Sequence, residues 1–250
     1  MTFRFSANLG FLWAELPFLE RIRRAAAAGF DAVEFHDEAQ RTDPAALKEA
    51  LAETGLPVVG LNVFMGETAG RAAIPGEGAR AAADIDDAAR VADEIGAGAI
   101  HVLSGRTDAP EARAAYLASL SHGLAATDRT ILIEPICRAA NPGYYMNSLD
   151  LAVSVQDELG DARLKIMFDC FHIEMEHGDV LARFRAVADR VGHVQIASVP
   201  DRQEPAPSRI DYSELLPALR AAGYDGAFGC EYRPAGSVEA GLGWRSAFDG

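Results

Sequence analysis

The sequence predicts an α/β fold, a single (β/α)8 TIM barrel that spans residues 1–250. Short β-rich runs alternate from end to end with amphipathic segments rich in Ala, Leu, Glu and Arg. Connections of this length place successive strands in parallel, and repeated right-handed crossovers close such a sheet into a barrel. A chain of 250 residues is normal for that fold. No linker or break in composition divides the chain, and a doubly wound open sheet is the structural alternative.

Each predicted strand is a short run of aliphatic, β-branched or aromatic residues that a turn signal follows. The runs lie at residues 4–7, 32–35, 58–62, 99–103, 131–135, 165–169, 192–196 and 226–231. The helices are predicted near residues 17–28, 44–54, 79–95, 110–126, 148–158, 178–190, 211–221 and 238–246. Gly29, Gly55 and Gly223 follow three of these helices and are expected to cap their C-termini.

The composition narrows the classes of partner. A formal net charge of -14 argues against nucleic acid, because binding to phosphates needs a basic face, and fits a small-molecule ligand. The three cysteines are an odd number without zinc-finger spacing, so neither disulfides nor a zinc site is indicated. The first residues lack the apolar segment of a signal peptide, and no stretch is long enough to span a membrane. A cytoplasmic protein is therefore expected.

Polar groups with oxygen donors end the last four strand runs. They are Glu134, Asp169, Gln195 and Glu231. The C-terminal ends of barrel strands meet at one face, where barrel enzymes keep their chemistry. Three carboxylates there need a cation to offset their repulsion, and an all-oxygen set suits Mg²⁺ or Mn²⁺. An isolated acidic residue in this position is more often a helix N-cap, but that explanation weakens when it must hold for four successive strands.

The sequence also resembles the hydroxypyruvate isomerase family, a branch of the xylose isomerase-like TIM-barrel superfamily. The resemblance runs nearly end to end and rests on ordered motifs, which are Phe5-Ser6-Ala7-Asn8-Leu9, Ala32-Val33-Glu34-Phe35, Ile74-Pro75-Gly76, Ile133-Glu134-Pro135, Asn141-Pro142-Gly143-Tyr144, Phe168-Asp169-Cys170-Phe171-His172, Gly192-His193-Val194-Gln195-Ile196-Ala197, Pro200-Asp201-Arg202-Gln203-Glu204-Pro205, Gly229-Cys230-Glu231-Tyr232 and Glu239-Ala240-Gly241-Leu242-Gly243-Trp244.

The resemblance implies a role for each candidate residue. Glu134, Asp169, Gln195 and Glu231 match the ligands of one divalent metal ion, and the two glutamates are the expected acid/base pair. The predicted substrate-binding residues are His172, Arg202, Arg106 and Asn62. The guanidinium of Arg202 suits a substrate carboxylate, because it can bind it with two hydrogen bonds. The implied reaction interconverts hydroxypyruvate and tartronate semialdehyde through an enediolate. A homo-oligomer is a family-level expectation.

Several alternatives remain open on the sequence. The nearest are a 2-oxo-tetronate isomerase and a ketose 3-epimerase, which would bind an uncharged sugar. An endonuclease IV-like DNA-repair enzyme is more remote, because it needs many histidines and a basic surface. A sugar-acid-binding protein without catalysis would not need two glutamates. The loops at residues 64–78 and 198–209 follow strands, so both are expected on the catalytic face, where they would shape substrate choice.

Overall fold

The computed structural model describes residues 3–248 and confirms the closed parallel barrel. The eight strands are hydrogen-bonded in sequence order, and the last strand pairs with the first. Their bounds are β1 Phe5–Asn8, β2 Ala32–Phe35, β3 Val58–Asn62, β4 Ala99–His101, β5 Thr130–Ile133, β6 Leu164–Asp169, β7 Val191–Ile196 and β8 Phe228–Cys230. The predicted ends of the domain, residues 1 and 250, lie outside the described residues.

Helices connect the strands as the alternating pattern predicts. They are α1 Phe18–Ala27, α2 Pro44–Thr54, α3 Gly78–Ile95, α4 Ala112–Ala126, α5 Leu149–Leu159, α6 Cys170–Glu176, α7 Val180–Val187, α8 Tyr212–Ala221 and α9 Val238–Gly241. Three 3-10 segments, Ala39–Arg41, Ala188–Arg190 and Leu242–Phe248, complete the set. The predicted helices at 178–190 and 238–246 therefore each divide into an α-helix and a 3-10 segment.

Helix ends follow from local chemistry. Helix α2 begins with Asp43, whose carboxylate accepts a hydrogen bond from the Ala46 amide, and with Pro44 at its first position. It ends at Gly55, whose φ of 68° is the left-handed conformation expected of a C-cap glycine. Helix α6 was not predicted, because seven residues are too few to show helical periodicity. Asp169 caps α6 by accepting a hydrogen bond of 2.8 Å from the Phe171 amide.

The predicted C-terminal ends of four strands, β1, β4, β5 and β8, were wrong by one or two residues. Strand β4 ends at His101 rather than residue 103, because beyond it only the Val102 amide still donates to β5, at the Leu132 carbonyl, and the chain then bonds to the loop at residues 64–78. In that contact the carbonyls of Leu103 and Ser104 accept hydrogen bonds from the amides of Ala72 and Ala73. Strand β8 ends at Cys230, which places Glu231 just beyond the strand.

The apolar core lies mostly between the sheet and its helices, whereas the inside of the barrel is small and largely polar. Ala99, Leu132 and Met167 form a separate buried cluster. Side chains alternate between the two faces of a strand. The polar residues on the same strand face as Ala99, Leu132 and Met167 therefore also point into the barrel. Polar side chains therefore fill the centre of the barrel directly beneath the C-terminal ends of the strands.

Candidate metal and substrate site

The strand ends bring the predicted metal ligands to one face of the barrel. Glu134 follows β5, Asp169 ends β6, and Gln195 lies in β7 directly opposite Asp169 in the strand register. Glu231 follows β8, and all four residues are buried. With Glu34 and His193 beneath them, these four residues form what we call the floor of the site.

Three side chains of the site offer donor atoms close enough to share one metal ion. Donor atoms of Glu134, Asp169 and His172 all lie within 4.8 Å of one another. The Nε2 atom of His172 is 3.6 Å from Glu134 Oε1 and 3.5 Å from Asp169 Oδ2. His172, which the resemblance gave as a substrate contact, therefore stands among the potential metal ligands as well.

Arg202 supplies the positive charge nearest to the acidic residues. Its Nη2 atom donates to Asp169 Oδ2 at 3.1 Å and to Glu231 Oε2 at 2.5 Å. The guanidinium lies 5.3 Å from the ring centre of Phe11 and 5.0 Å from that of Phe171. Arg202 has a φ of 53°, an unusual conformation for a residue with a side chain. The loop after β7 thus directs this guanidinium toward the carboxylates that would otherwise repel each other.

The orientation of the Gln195 side chain is set from below by Glu34. The Nε2 group of Gln195 donates to Glu34 Oε1 at 3.1 Å, and Glu34 Oε2 is 2.5 Å from His193 Nε2. The amide nitrogen of Gln195 faces Glu34 because Glu34 Oε1 accepts its hydrogen bond, which turns the amide oxygen away from Glu34. Gly229 leaves room for this network, because a Cβ there would lie 2.7 Å from both Glu34 Oε1 and His193 Nε2.

The pKa values of the two candidate catalytic glutamates are shifted in opposite directions. Burial raises the pKa of Glu134 well above its ordinary value, and the charges of Glu231 and Asp169 add to the rise. Burial also raises the pKa of Asp169, to about 7, against the opposing effect of Arg202. Burial acts in the same direction on Glu231, but Arg202 and His36 together outweigh it and lower its pKa to about 2. In the absence of a cation, a proton in this cluster is therefore held more tightly by Glu134 than by Glu231.

The site opens into a cavity of about 300 Å³ above the carboxylates. Its wall includes Glu134, Glu231 and all four predicted substrate-binding residues, which are His172, Arg202, Arg106 and Asn62. Met65 and Ala69 come from the loop after β3. Both predicted loops therefore contribute residues to the cavity. We call its outer rim, formed by Arg106 and Arg233, the mouth of the site.

The other two predicted substrate-binding residues are held by neighbours. The Oδ1 atom of Asn62 lies 3.1 Å from His101 Nδ1. Arg106 donates to the Glu67 carbonyl and, at 3.4 Å, to Asn141 Oδ1. The contact with Glu67 joins the loop after β4 to the loop after β3. Arg106 therefore lines the mouth with part of its hydrogen-bonding capacity already used.

Sequence reasoning missed three residues of the site. His36 approaches Glu231 Oε1 at 3.5 Å, with its ring against Gly10, where a Cβ would lie 2.1 Å from His36 Nδ1. Arg233 lines the cavity two residues after Glu231, and Glu34 underlies Gln195. Glu34 carried a detectable signal, because it is an acidic residue inside an otherwise apolar strand run. No periodic pattern marks Arg233, since it lies in a loop.

The residues of the floor suit a divalent cation. Among residues 3–248, the buried atoms Glu134 Oε1 and Gln195 Oε1 have no hydrogen-bond partner. Unpartnered buried oxygens are costly, and a cation would satisfy both of them. The donor set is dominated by carboxylate and amide oxygens, which are hard ligands. The cluster around Glu134, Asp169 and His172 could therefore hold a metal ion.

Comparison with known families identifies the class of protein. The model of the family described as the xylose isomerase-like TIM barrel matches residues 22–248. The chain therefore belongs to that family, which confirms the resemblance seen in its motifs. In the described part of the chain, no helix combines the length and the apolar character that crossing a membrane requires.

Within that family the chain is an isomerase with named relatives along its whole length. It is 39% identical over 258 residues to the 2-oxo-tetronate isomerase of Cupriavidus necator, with 99% of each chain covered. It is 34% identical over 256 residues to the hydroxypyruvate isomerase of Escherichia coli, which covers 98% of this chain and 99% of the relative. A crystal structure named AP endonuclease, family 2, from Brucella melitensis matches with a TM-score of 0.93 at 32% identity and 98% coverage of each chain.

Proposed function

We propose that this chain is a divalent-metal-dependent isomerase of small 2-oxo acids, with hydroxypyruvate and tartronate semialdehyde as the favoured pair. The observation that carries the proposal is the pairing of Glu134 and Glu231 in the wall of one cavity, beside buried oxygens of Glu134 and Gln195 that have no partner among residues 3–248 and could hold a cation. Moving a carbonyl by one carbon needs one group that takes a proton and one group that returns it. The named relatives support a reaction of this class.

The proton transfers of the isomerisation give each glutamate a role. Glu231, which is anionic, removes a proton from C3 of hydroxypyruvate and leaves an enediolate. Glu231 returns the proton to C2, either directly or through its partner Glu134, and the hydroxyl proton on O3 passes to O2, which gives tartronate semialdehyde and restores both carboxylates. Arg202 holds Glu231 in place through the bond of 2.5 Å to Oε2. The assignment of Glu231 as the base and Glu134 as its partner is part of the proposal.

The proposed metal is Mg²⁺ or Mn²⁺, held by Glu134, Asp169, Gln195 and Glu231. A divalent ion acts as a Lewis acid toward the oxygens of the substrate and stabilises the negative charge of the enediolate. The residues themselves orient these oxygens, because their carboxylates are fixed at strand ends. His172 lies 3.5 Å from Asp169 Oδ2, so it can either join the ligands or contact the substrate.

A proton-exchange experiment tests the proposal. The protein is incubated in D₂O with Mg²⁺ or Mn²⁺ and with hydroxypyruvate, a 2-oxo-tetronate or a free ketose, and ¹H NMR follows exchange at the substrate carbons. We expect fast exchange with a 2-oxo acid and loss of that exchange in EDTA. Faster exchange with a free ketose would favour the epimerase alternative, and no exchange with any of them would overturn the isomerase proposal.

The endonuclease alternative receives little support from the chain. A net charge of -14 disfavours approach to DNA. The potential metal group in residues 3–248 contains one histidine, His172. A duplex with an abasic site, incubated with the protein and Mg²⁺, Mn²⁺ or Zn²⁺, is expected to stay intact.

A further inference from the structure

The proposed substrates all carry a carboxylate, and the cavity must supply a cation to bind it. Three guanidinium groups line the cavity, those of Arg106, Arg202 and Arg233. Which of them is available depends on the contacts that each already makes. The argument rests on the proposed function, since an uncharged sugar would need no such partner.

Arg202 is poorly placed for the carboxylate of the substrate. Its Nη2 atom is shared between Asp169 and Glu231, and its Nε atom is buried without a partner. A substrate anion that used this guanidinium would compete with two carboxylates and add a further negative charge beside them. Arg202 therefore serves the catalytic carboxylates better than it serves the substrate.

Arg106 is only partly available. It donates to the Glu67 carbonyl and to Asn141 Oδ1, so two of its donors are committed to the loops at the mouth. These contacts hold the guanidinium at the rim of the cavity. A carboxylate there would receive fewer hydrogen bonds than a free guanidinium can offer.

Arg233 has its whole guanidinium available. Among residues 3–248 its side chain has no hydrogen-bond or ion-pair partner, and its guanidinium lies over the ring of Phe11, 5.3 Å from the ring centre. Stacking on an aromatic face leaves the N–H groups at the edge of the guanidinium free to donate. The main chain is fixed, because the Arg233 amide donates to the Arg202 carbonyl at 2.8 Å.

The spacing of Arg233 from the reacting groups fits a short acid. Arg233 lies two residues after Glu231, so their Cα atoms are at most about 7 Å apart. Both side chains line the same cavity. A three- or four-carbon acid can therefore present its carbonyl region to Glu231 while its carboxylate meets the guanidinium.

We propose that Arg233 binds the substrate carboxylate and thereby selects 2-oxo acids over uncharged ketoses. This assigns to Arg233 the carboxylate contact that the sequence had predicted for Arg202. A guanidinium can pair both oxygens of the carboxylate, whereas a lysine in its place would make a single contact. Phe11 supports both arginines, which keeps the substrate arginine beside the catalytic one.

The test compares Arg233→Met, Arg233→Lys and the matched exterior control Arg185→Ala, whose arginine is exposed on α7. The substrates are hydroxypyruvate and dihydroxyacetone, which has a hydroxymethyl group in place of the carboxylate. For Arg233→Met we expect the KM for hydroxypyruvate to rise about 10- to 100-fold with little change in kcat, as for loss of a charged hydrogen bond. The rate of deuterium exchange into dihydroxyacetone should be unchanged in Arg233→Met. The KM of Arg233→Lys for hydroxypyruvate should lie between those of wild type and Arg233→Met, and the KM of Arg185→Ala should equal that of wild type.

Binding of tartronate, measured by calorimetry with Mg²⁺ present, gives a second readout that does not need turnover. We expect Arg233→Met to weaken tartronate binding by a similar factor. The inference is overturned if Arg233→Met keeps the wild-type KM and tartronate affinity, or if it impairs hydroxypyruvate and dihydroxyacetone equally. If the proposed function itself is wrong, the wild-type protein will exchange deuterium into no 2-oxo acid. The affinity for tartronate then still tests whether Arg233 binds a carboxylate.

Discussion

The floor of the site is built from strand ends, whereas its mouth is built from loops. In the floor, Glu134, Asp169 and Gln195 are buried and hydrogen-bonded or poised to bind a cation. At the mouth, Arg106 and Arg233 are exposed and belong to connections between strands and helices. The floor is suited to the proton transfer, which needs fixed geometry, and the mouth to the choice of substrate, which loops can change without disturbing the barrel.

Electrostatics separates the two regions further. The floor is acidic and buried, so its carboxylates shift each other's pKa and depend on Arg202 or a metal ion for stability. Charges at the mouth face water, which weakens their pairings with other charges. Substitutions in the floor should therefore affect turnover and metal binding strongly. Substitutions at the mouth should affect substrate affinity.

The largest expected effect comes from the acid/base pair of the floor. Changing Glu231→Gln or Glu134→Gln keeps the shape of the side chain but removes the group that moves the proton. We expect kcat to fall by about 10²- to 10⁴-fold, the usual contribution of general acid/base catalysis. Rates of deuterium exchange with hydroxypyruvate measure the loss. Near wild-type turnover in Glu231→Gln, with metal still bound, would remove Glu231 from the role of base.

The double variant tests whether the two glutamates work as one unit. Groups that act in the same step give losses that are far from additive. The Glu134→Gln, Glu231→Gln variant is therefore expected to be about as slow as the slower single variant. If the loss of kcat in the double variant equals the product of the two single losses, the two glutamates act independently.

The second effect concerns the orientation of Gln195. In Glu34→Gln the group facing Gln195 can donate as well as accept, so the Gln195 amide loses its single preferred orientation. We expect the affinity for Mn²⁺, measured by calorimetry, to fall about 10- to 100-fold, as is common when a partner of a ligand is replaced. The exposed Glu49→Gln on α2 is the matched control and should bind Mn²⁺ like wild type. Unchanged affinity in Glu34→Gln would mean that Gln195 is not a ligand, or that its orientation does not depend on Glu34.

The sequence predicted the four oxygen-donor residues at the strand ends and, at the mouth, Arg106 but not Arg233, and this difference has physical reasons. Strand ends are marked by apolar runs that stop at a polar residue, so Asp169 and Glu231 could be identified from the sequence alone. Loop residues follow no comparable pattern in the sequence. The turn that directs Arg202 to the floor depends on a left-handed residue, and nothing in the pattern places Arg233 beside Phe11. Helix α6, which carries His172, is too short to leave a periodic signal.

Proton release should make metal binding in the floor dependent on pH. The pKa of Asp169 is raised to about 7, so this carboxyl is protonated below that pH and must lose its proton when a metal binds. We expect the apparent affinity for Mg²⁺ to fall at least about tenfold per pH unit as the pH drops below 7, because Asp169 and Glu134, whose pKa is also raised, must both be deprotonated in the complex. Calorimetry in two buffers of different ionisation enthalpy counts the protons. An affinity that is flat between pH 5.5 and 8 would contradict the raised pKa.

The same pKa shift predicts the opposite trend for the metal-free protein. A carboxyl whose pKa is raised on folding stabilises the folded state at low pH, and that contribution disappears as the pH rises through the folded pKa. The metal-free protein should therefore lose stability between about pH 4 and 7 on account of Asp169, and Mg²⁺ should restore it. Thermal melting with EDTA and with Mg²⁺ across this range checks both signs.

The smallest expected effect lies at the mouth, at Arg106. Because Arg106 is exposed and its donors already bond to Glu67 and Asn141, its removal should raise the KM for hydroxypyruvate only about two- to fivefold. Most of that change would come from loosening the contact between two loops, so the KM for dihydroxyacetone should rise by a similar factor. Arg106→Gln is measured beside Arg233→Met under the same conditions. If Arg106→Gln costs more affinity, and only for the acid, then Arg106 rather than Arg233 carries the selection of the carboxylate.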